Sequence, residues 1–120
     1  MYKIRVTEFF SGAHFLKNYK GKCENLHGHN WKVIAEVSSE KLNSEGMVID
    51  FLELKRILKE ILAKFDHRLL NELEEFKDLN PTSENICYVI YKKLKERLKD
   101  FKIRITVFET PFSSASYGEE

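Results

Sequence analysis

Three of the four histidines, His14, His27 and His29, fall within sixteen residues of one another, and their types and spacing suit a metal site. His27 and His29 enter a segment that alternates like a strand, and residues two apart on a strand point the same way, roughly 7 Å apart. They share parity with Trp31, Val33 and Ala35, the apolar face of that segment. His14 shares parity with Ile4, Val6 and Phe10 on an earlier alternating segment. If the two segments pair as a hairpin, three imidazoles meet at one end of the sheet. Three histidines with an open fourth position is the arrangement of catalytic zinc. The plain alternative is a set of scattered loop histidines.

Seven further residues could carry chemistry. Cys23 stands four residues before His27, where it could be a fourth metal ligand, a thiol activated by a nearby cation, or an inert loop cysteine. Spacing does not decide among these. Asp66 precedes His67, and a carboxylate beside an imidazole can orient it and raise its basicity; the bland reading is a polar helix C-terminus. Glu109 continues the apolar parity of Ile103, Ile105 and Val107. A carboxylate there either reaches solvent at the sheet edge or meets a cationic or multi-donor group, such as a ligand with adjacent N–H donors. Lys17, Lys20 and Lys22 read as a solvated face that could also receive a phosphorylated substrate.

Certain elements must position these groups. Residues 2 to 10 alternate as a strand, residues 11 to 28 read as a glycine- and asparagine-containing loop, and Trp31 to Val37 form a second strand. Asp50 starts a helix, with Glu53 placed for a capping box and Phe51, Leu54, Leu58, Ile61, Leu62 and Phe65 as its apolar stripe. Thr82 or Ser83 starts a second helix that buries Ile86, Val89, Ile90, Leu94 and Leu98, with Cys87 as a packed core residue. Ile103 to Val107 is a third strand and Ser113 to Tyr117 a short fourth. The order is ββααββ, which predicts an α+β domain over residues 1–120, with an antiparallel four-stranded sheet and two helices on one face.

Composition excludes other classes. Twenty Lys and Arg balance nineteen Asp and Glu for a net charge of +1, too little basic excess for a dedicated nucleic-acid or membrane-surface protein. The longest apolar run, Ile86 to Tyr91, is too short to span a bilayer. Two cysteines make no disulfide framework, and no signal-peptide core follows Met1, so a cytoplasmic protein is expected. No P-loop, paired CxxC or dinucleotide glycine fingerprint is present.

Six motifs in order along the chain resemble the 6-pyruvoyl-tetrahydropterin synthase family. They are Phe10-Ser11-Gly12-Ala13-His14-Phe15, Cys23-Glu24-Asn25-Leu26-His27-Gly28-His29-Asn30, Val48-Ile49-Asp50-Phe51, Asp66-His67-Arg68-Leu69-Leu70-Asn71, Pro81-Thr82-Ser83-Glu84-Asn85 and Phe108-Glu109-Thr110-Pro111. Three residues between Cys23 and His27 are similar to the branch that includes the 6-carboxytetrahydropterin synthases of queuosine synthesis.

The resemblance implies the tunnelling fold, in which trimers close a barrel and two trimers stack into a hexamer. It implies Zn2+ held by His14, His27 and His29, with Cys23 as proton acceptor. His67 with Asp66 would be a proton relay, supplied from a neighbouring subunit. Glu109 would anchor a pterin ring without ligating the metal, and Thr82, Ser83 and Glu84 would join it in binding substrate. The implied substrate is 7,8-dihydroneopterin triphosphate, cleaved to the carboxypterin with loss of acetaldehyde and triphosphate. Pyruvoyl synthase or aldolase-type activity, or a non-catalytic zinc- or pterin-binding module, are the alternatives. Phe112 and Ser114 depart from the family's commoner Thr and Cys, and Phe112 is expected at the pocket edge.

Overall fold

The alternating N-terminal half builds a long hairpin. In the structure, a computed structural model that describes residues 1–20 and 25–120, β1 (Tyr2–His14) runs antiparallel to β2 (His27–Ser39) along the full length of both. Phe10 stands opposite Trp31, Gly12 opposite His29, and His14 opposite His27. Residues 11 to 14, 27 and 28 are therefore strand, where a loop was expected. The reason lies at Gly12. A Cβ there would come within 3.2 Å of the Phe10 ring, and the Gly12 carbonyl accepts the Trp31 indole N–H at 3.1 Å. This glycine marks a close approach inside a strand and not a turn.

The chain continues through α1 (Phe51–Leu62), β3 (Arg68–Leu69), α2 (Ser83–Arg97), β4 (Lys102–Thr110) and β5 (Ser113–Gly118). Two short 3-10 turns, Leu70–Glu72 and Glu74–Phe76, link β3 to α2. The α+β class stands, with the six main elements in the expected order. The strand count is corrected: the sheet has five strands, in the order β3-β1-β2-β4-β5. The extra strand is parallel to β1 at Gly12 and Ala13. Two residues carry no readable periodicity, and backbone bonding outside the strand itself creates β3. Ser11 N–H donates to Asp66 Oδ1 at 2.9 Å, and His67 N–H donates to the Ser11 carbonyl at 2.6 Å.

Each helix is fixed at its start. Asp50 caps α1 by accepting the Leu52 N–H at 2.8 Å. Glu53 does not close a capping box; its carboxylate takes the Arg56 Nε–H at 3.2 Å instead, a charge-assisted bond that outcompetes a neutral backbone donor. Thr82, not Ser83, caps α2, its hydroxyl accepting the Asn85 N–H at 3.1 Å. α1 buries Leu54, Ile57, Leu58, Ile61 and Leu62. Phe51, expected in that stripe, is 55% exposed, because the helix begins with it.

α1 packs on β1 and α2 on β4 and β5, against the face that carries Val6, Phe10, Trp31, Val33, Ile103, Ile105 and Val107. Fully burying each such side chain contributes about 1.5–3 kcal/mol. The rings of Phe10 and Trp31 stack at 5.9 Å, and Phe65 closes on Phe10 at 5.8 Å. This aromatic layer is the end wall of the core, and the histidines stand on it.

Candidate metal centre

The hairpin register places the histidines where parity predicts. His14 and His27 are cross-strand partners, and His29 lies one inward-facing position along β2. The ring centroids of His14 and His27 are 4.6 Å apart, and those of His27 and His29 are 4.7 Å apart. Trp31 meets the rings of His14 and His29 edge-on at 5.0 and 5.1 Å, so the buried indole sets the depth at which both imidazoles sit. His14 is 1% exposed.

Backbone carbonyls fix two of the tautomers. His14 Nδ1 lies 2.7 Å from the Pro81 carbonyl, and His27 Nδ1 lies 2.7 Å from the Asn25 carbonyl. A carbonyl only accepts, so each Nδ1 carries the proton. In the neutral rings each Nε2 then presents a lone pair inward, and the two Nε2 atoms are 3.1 Å apart. Glu109 Oε1, another acceptor, lies 3.2 Å from His14 Nε2 and 3.3 Å from His29 Nε2. Acceptors converging at these distances repel unless they share a cation. All four ligand atoms lie within 4.8 Å of one another. Imidazole nitrogens with one carboxylate oxygen are a donor set suited to zinc, so the residues fit the expected metal. The carbonyl bonds on the outer ring nitrogens are the kind of support that orients metal-binding histidines.

Glu109 departs from expectation. The ring-anchoring role kept it clear of the metal ligands, whereas its carboxylate lies among the imidazoles. Two features bring it there. Val107 pairs with Val33, so the parity of β4 leads Glu109 toward the histidine end of β2. The β4–β5 register also shifts between Phe108 and Thr110, leaving Glu109 at a bulge. Bulges commonly re-aim a side chain next to a site.

A cleft of about 500 Å³ opens beside the cluster, with His29, Asn30, His67 and Arg68 in its lining. His67 and His29 of one chain thus share a cavity. His67 adopts a left-handed φ of 58°. Its Nδ1 is 3.0 Å from Asp66 Oδ2, while Asp66 Oδ1 accepts the Ser11 N–H, so β1 itself aims the carboxylate at the imidazole. The Ser11 N–H and the adjacent His67 ring hold the Asp66 carboxyl below its ordinary value. The His67 ring is 81% exposed in the single chain.

Other expected residues fall as follows. Cys23 lies outside the described residues. Thr82 spends its hydroxyl on capping, and Ser83 and Glu84 open α2. Their segment adjoins the metal centre through Pro81, whose carbonyl holds His14. Phe112 does not edge the described cavity; at the β4–β5 turn it is 94% exposed. Cys87 is a core residue as expected, and burial pushes its thiol up to about 12.

Three positioning groups escaped the sequence reading. One is the Pro81 carbonyl. The others are Asn71 and Asn80, whose amides each clamp one residue of the segment after His14. Asn71 accepts the Phe15 N–H and donates to the Phe15 carbonyl, both at 2.9 Å. Asn80 does the same to Lys17, at 2.8 Å both ways. Asn71 ends a recognised motif and Asn80 begins the Asn-Pro helix start, which were the available signals.

Comparison with known proteins gives a consistent picture. A family model described as 6-pyruvoyl tetrahydropterin synthase matches residues 3–120. An Archaeoglobus fulgidus protein provisionally named 6-carboxy-5,6,7,8-tetrahydropterin synthase is 50% identical over 94 residues, 78% of this chain and 76% of its own. The 6-carboxy-5,6,7,8-tetrahydropterin synthase of Haemophilus influenzae is 37% identical over 143 residues, covering 99% of this chain and all of that protein. The structure of Caenorhabditis elegans 6-pyruvoyl tetrahydropterin synthase superposes with a TM-score of 0.86 at 30% identity, over 99% of this chain and 96% of that one.

Proposed function

The chain belongs to the 6-pyruvoyl tetrahydropterin synthase family, and from that premise we propose that it is a zinc-dependent 6-carboxy-5,6,7,8-tetrahydropterin synthase. It would convert 7,8-dihydroneopterin triphosphate to 6-carboxytetrahydropterin, releasing acetaldehyde and triphosphate, in the synthesis of queuosine and related 7-deazaguanines. The observation that carries the reading is the convergence of His14, His27 and His29 on one point at the rim of a cleft that also holds His67. Two relatives named for the carboxy product support the choice of reaction.

His14, His27 and His29 would hold the zinc, which when bound supplies Lewis-acid polarisation of substrate hydroxyls. The chain's own groups do the rest. Cys23 as thiolate takes a proton from the substrate side chain. Asp66 accepts the His67 Nδ1–H, which leaves Nε2 as the atom that exchanges protons with the cleft. Glu109 takes the exocyclic amine and neighbouring N–H of the pterin ring, two donors spaced for one carboxylate. Thr82, Ser83 and Glu84, anchored beside His14 through Pro81, complete the substrate contacts.

The nematode relative supports a second reading, in which the side chain stays intact and pyruvoylpterin forms. Incubating the zinc-loaded protein with dihydroneopterin triphosphate and identifying products by mass spectrometry decides between them. Carboxypterin with acetaldehyde is expected. Pyruvoylpterin would reassign the reaction, and zinc binding without turnover would reduce the protein to a binding module.

A further inference from the structure

We infer that Glu109 is an exchangeable ligand: in the substrate-free protein its carboxylate completes the coordination shell built by His14, His27 and His29, and it leaves that shell to take the pterin ring. This rests on the zinc and pterin reading above and adds a second role for one residue.

The distances carry it. Ligand atoms bound at 2.0–2.1 Å in a tetrahedron lie about 3.3 Å from one another. Three of the separations in the cluster are 3.1, 3.2 and 3.3 Å, and two of the three involve Glu109 Oε1. Backbone placement carries it further. Glu109 sits at the β4–β5 bulge and lies beyond Lys32–Phe108, the last β2–β4 pair at that end. Its side chain is 33% exposed, so the carboxylate has room to swing toward the solvent side.

A pterin forces the swing. Its exocyclic amine and ring N–H lie at the opposite end of the bicycle from its side chain. One carboxylate therefore cannot touch that edge and the metal while the side-chain hydroxyls approach the same metal. Ring recognition and opening of the fourth position become one event. Linkage makes the coupling reciprocal: the ring must weaken metal binding through Glu109.

The test uses zinc itself, with affinity measured by competition against a chromophoric chelator, and 6-methylpterin, a ring with no side-chain hydroxyl. Glu109→Gln should bind zinc at least about tenfold more weakly, since losing an outer-shell partner alone costs 10–100-fold. Saturating 6-methylpterin should weaken zinc binding about fivefold or more in the unmodified protein, a typical coupling, and leave Glu109→Gln unaffected. The second measurement needs no variant, so a folding defect cannot mimic it. If the unmodified protein binds both zinc and the ring, but zinc affinity ignores either the ring or the substitution, the exchange is wrong. If it binds no zinc or no ring, the function proposed above is overturned instead.

Discussion

His14 and His27 each commit one ring nitrogen to a backbone carbonyl, and the consequence is chemical: the other nitrogen must face inward as a lone pair. Removing His27 or His29 leaves two imidazoles and the Glu109 carboxylate, one donor short of the closed four-atom set. His27→Ala and His29→Ala should each lose stoichiometric zinc by elemental analysis, whereas Cys23→Ala should retain it. Zinc at one hundred times its dissociation constant stabilises the fold by about 2.7 kcal/mol. Chelation should therefore lower the melting temperature of the parent and leave that of His29→Ala unmoved.

Cys87 gives a separate prediction. Its thiol is raised to about 12 by burial, above its unfolded value near 8.5. A raised folded value means the stabilisation is complete below the unfolded value and is lost as pH rises toward about 12. Unfolding titrations should show an alkaline loss of stability that is smaller in Cys87→Ala, the raised Tyr91 hydroxyl supplying part of what remains. The sites of the three histidines were legible because strand parity has period two and all three lie on strands. The inward face of Glu109 was legible in the same way, but its approach to the imidazoles was not, because that depends on the β4–β5 bulge.

At the scale of elements, the histidine end of the hairpin is held from outside by chain far away in sequence. Asp66 and His67 bond Ser11, Asn71 clamps Phe15, Asn80 clamps Lys17, and Pro81 holds His14. Side chain-to-backbone bonds across more than fifty residues leave no periodic trace, so β3 and both clamps were invisible while the long strands and helices were not. The glycine-rich look of residues 11 to 28 misled for a related reason: Gly12 answers to the Phe10 ring and the Trp31 indole, both fixed by tertiary packing. Asn71→Ala removes two part-buried bonds, worth about 0.5–1.5 kcal/mol each. Urea unfolding should show a lower midpoint with an unchanged slope. Because Phe15 follows His14 directly, zinc affinity should fall as well, although Asn71 touches no ligand. Asp66→Asn should keep zinc and lower turnover, since it alters the partner of His67 and leaves the cluster intact.

For the whole molecule, the single chain is more extended than its length requires. Its radius of gyration is 15.1 Å, with principal extents of 53 × 28 × 24 Å, against about 13.6 Å for a compact 120-residue domain. Among the described residues, β3 covers β1 only at Gly12 and Ala13, which leaves the outer edge of Tyr2–Ser11 without a strand partner. β5 ends the sheet on the other side. Two exposed edges on one sheet are a hazard that closure into a barrel removes. An apolar cavity of about 350 Å³ lies near the start of β1, with Tyr2, Met47 and Phe51 in its lining and partly exposed. These features agree with the assembly that the family resemblance implies, in which three sheets join edge to edge and two such rings stack. Light scattering should then give six times the chain mass of 14.2 kDa, stable to dilution. Phe51→Lys tests the apolar contact separately. An exposed position costs the single chain no more than about 0.5 kcal/mol, so its helical signal should persist while the assembly falls to a smaller size. A monomeric parent at micromolar concentration would sink the hexamer.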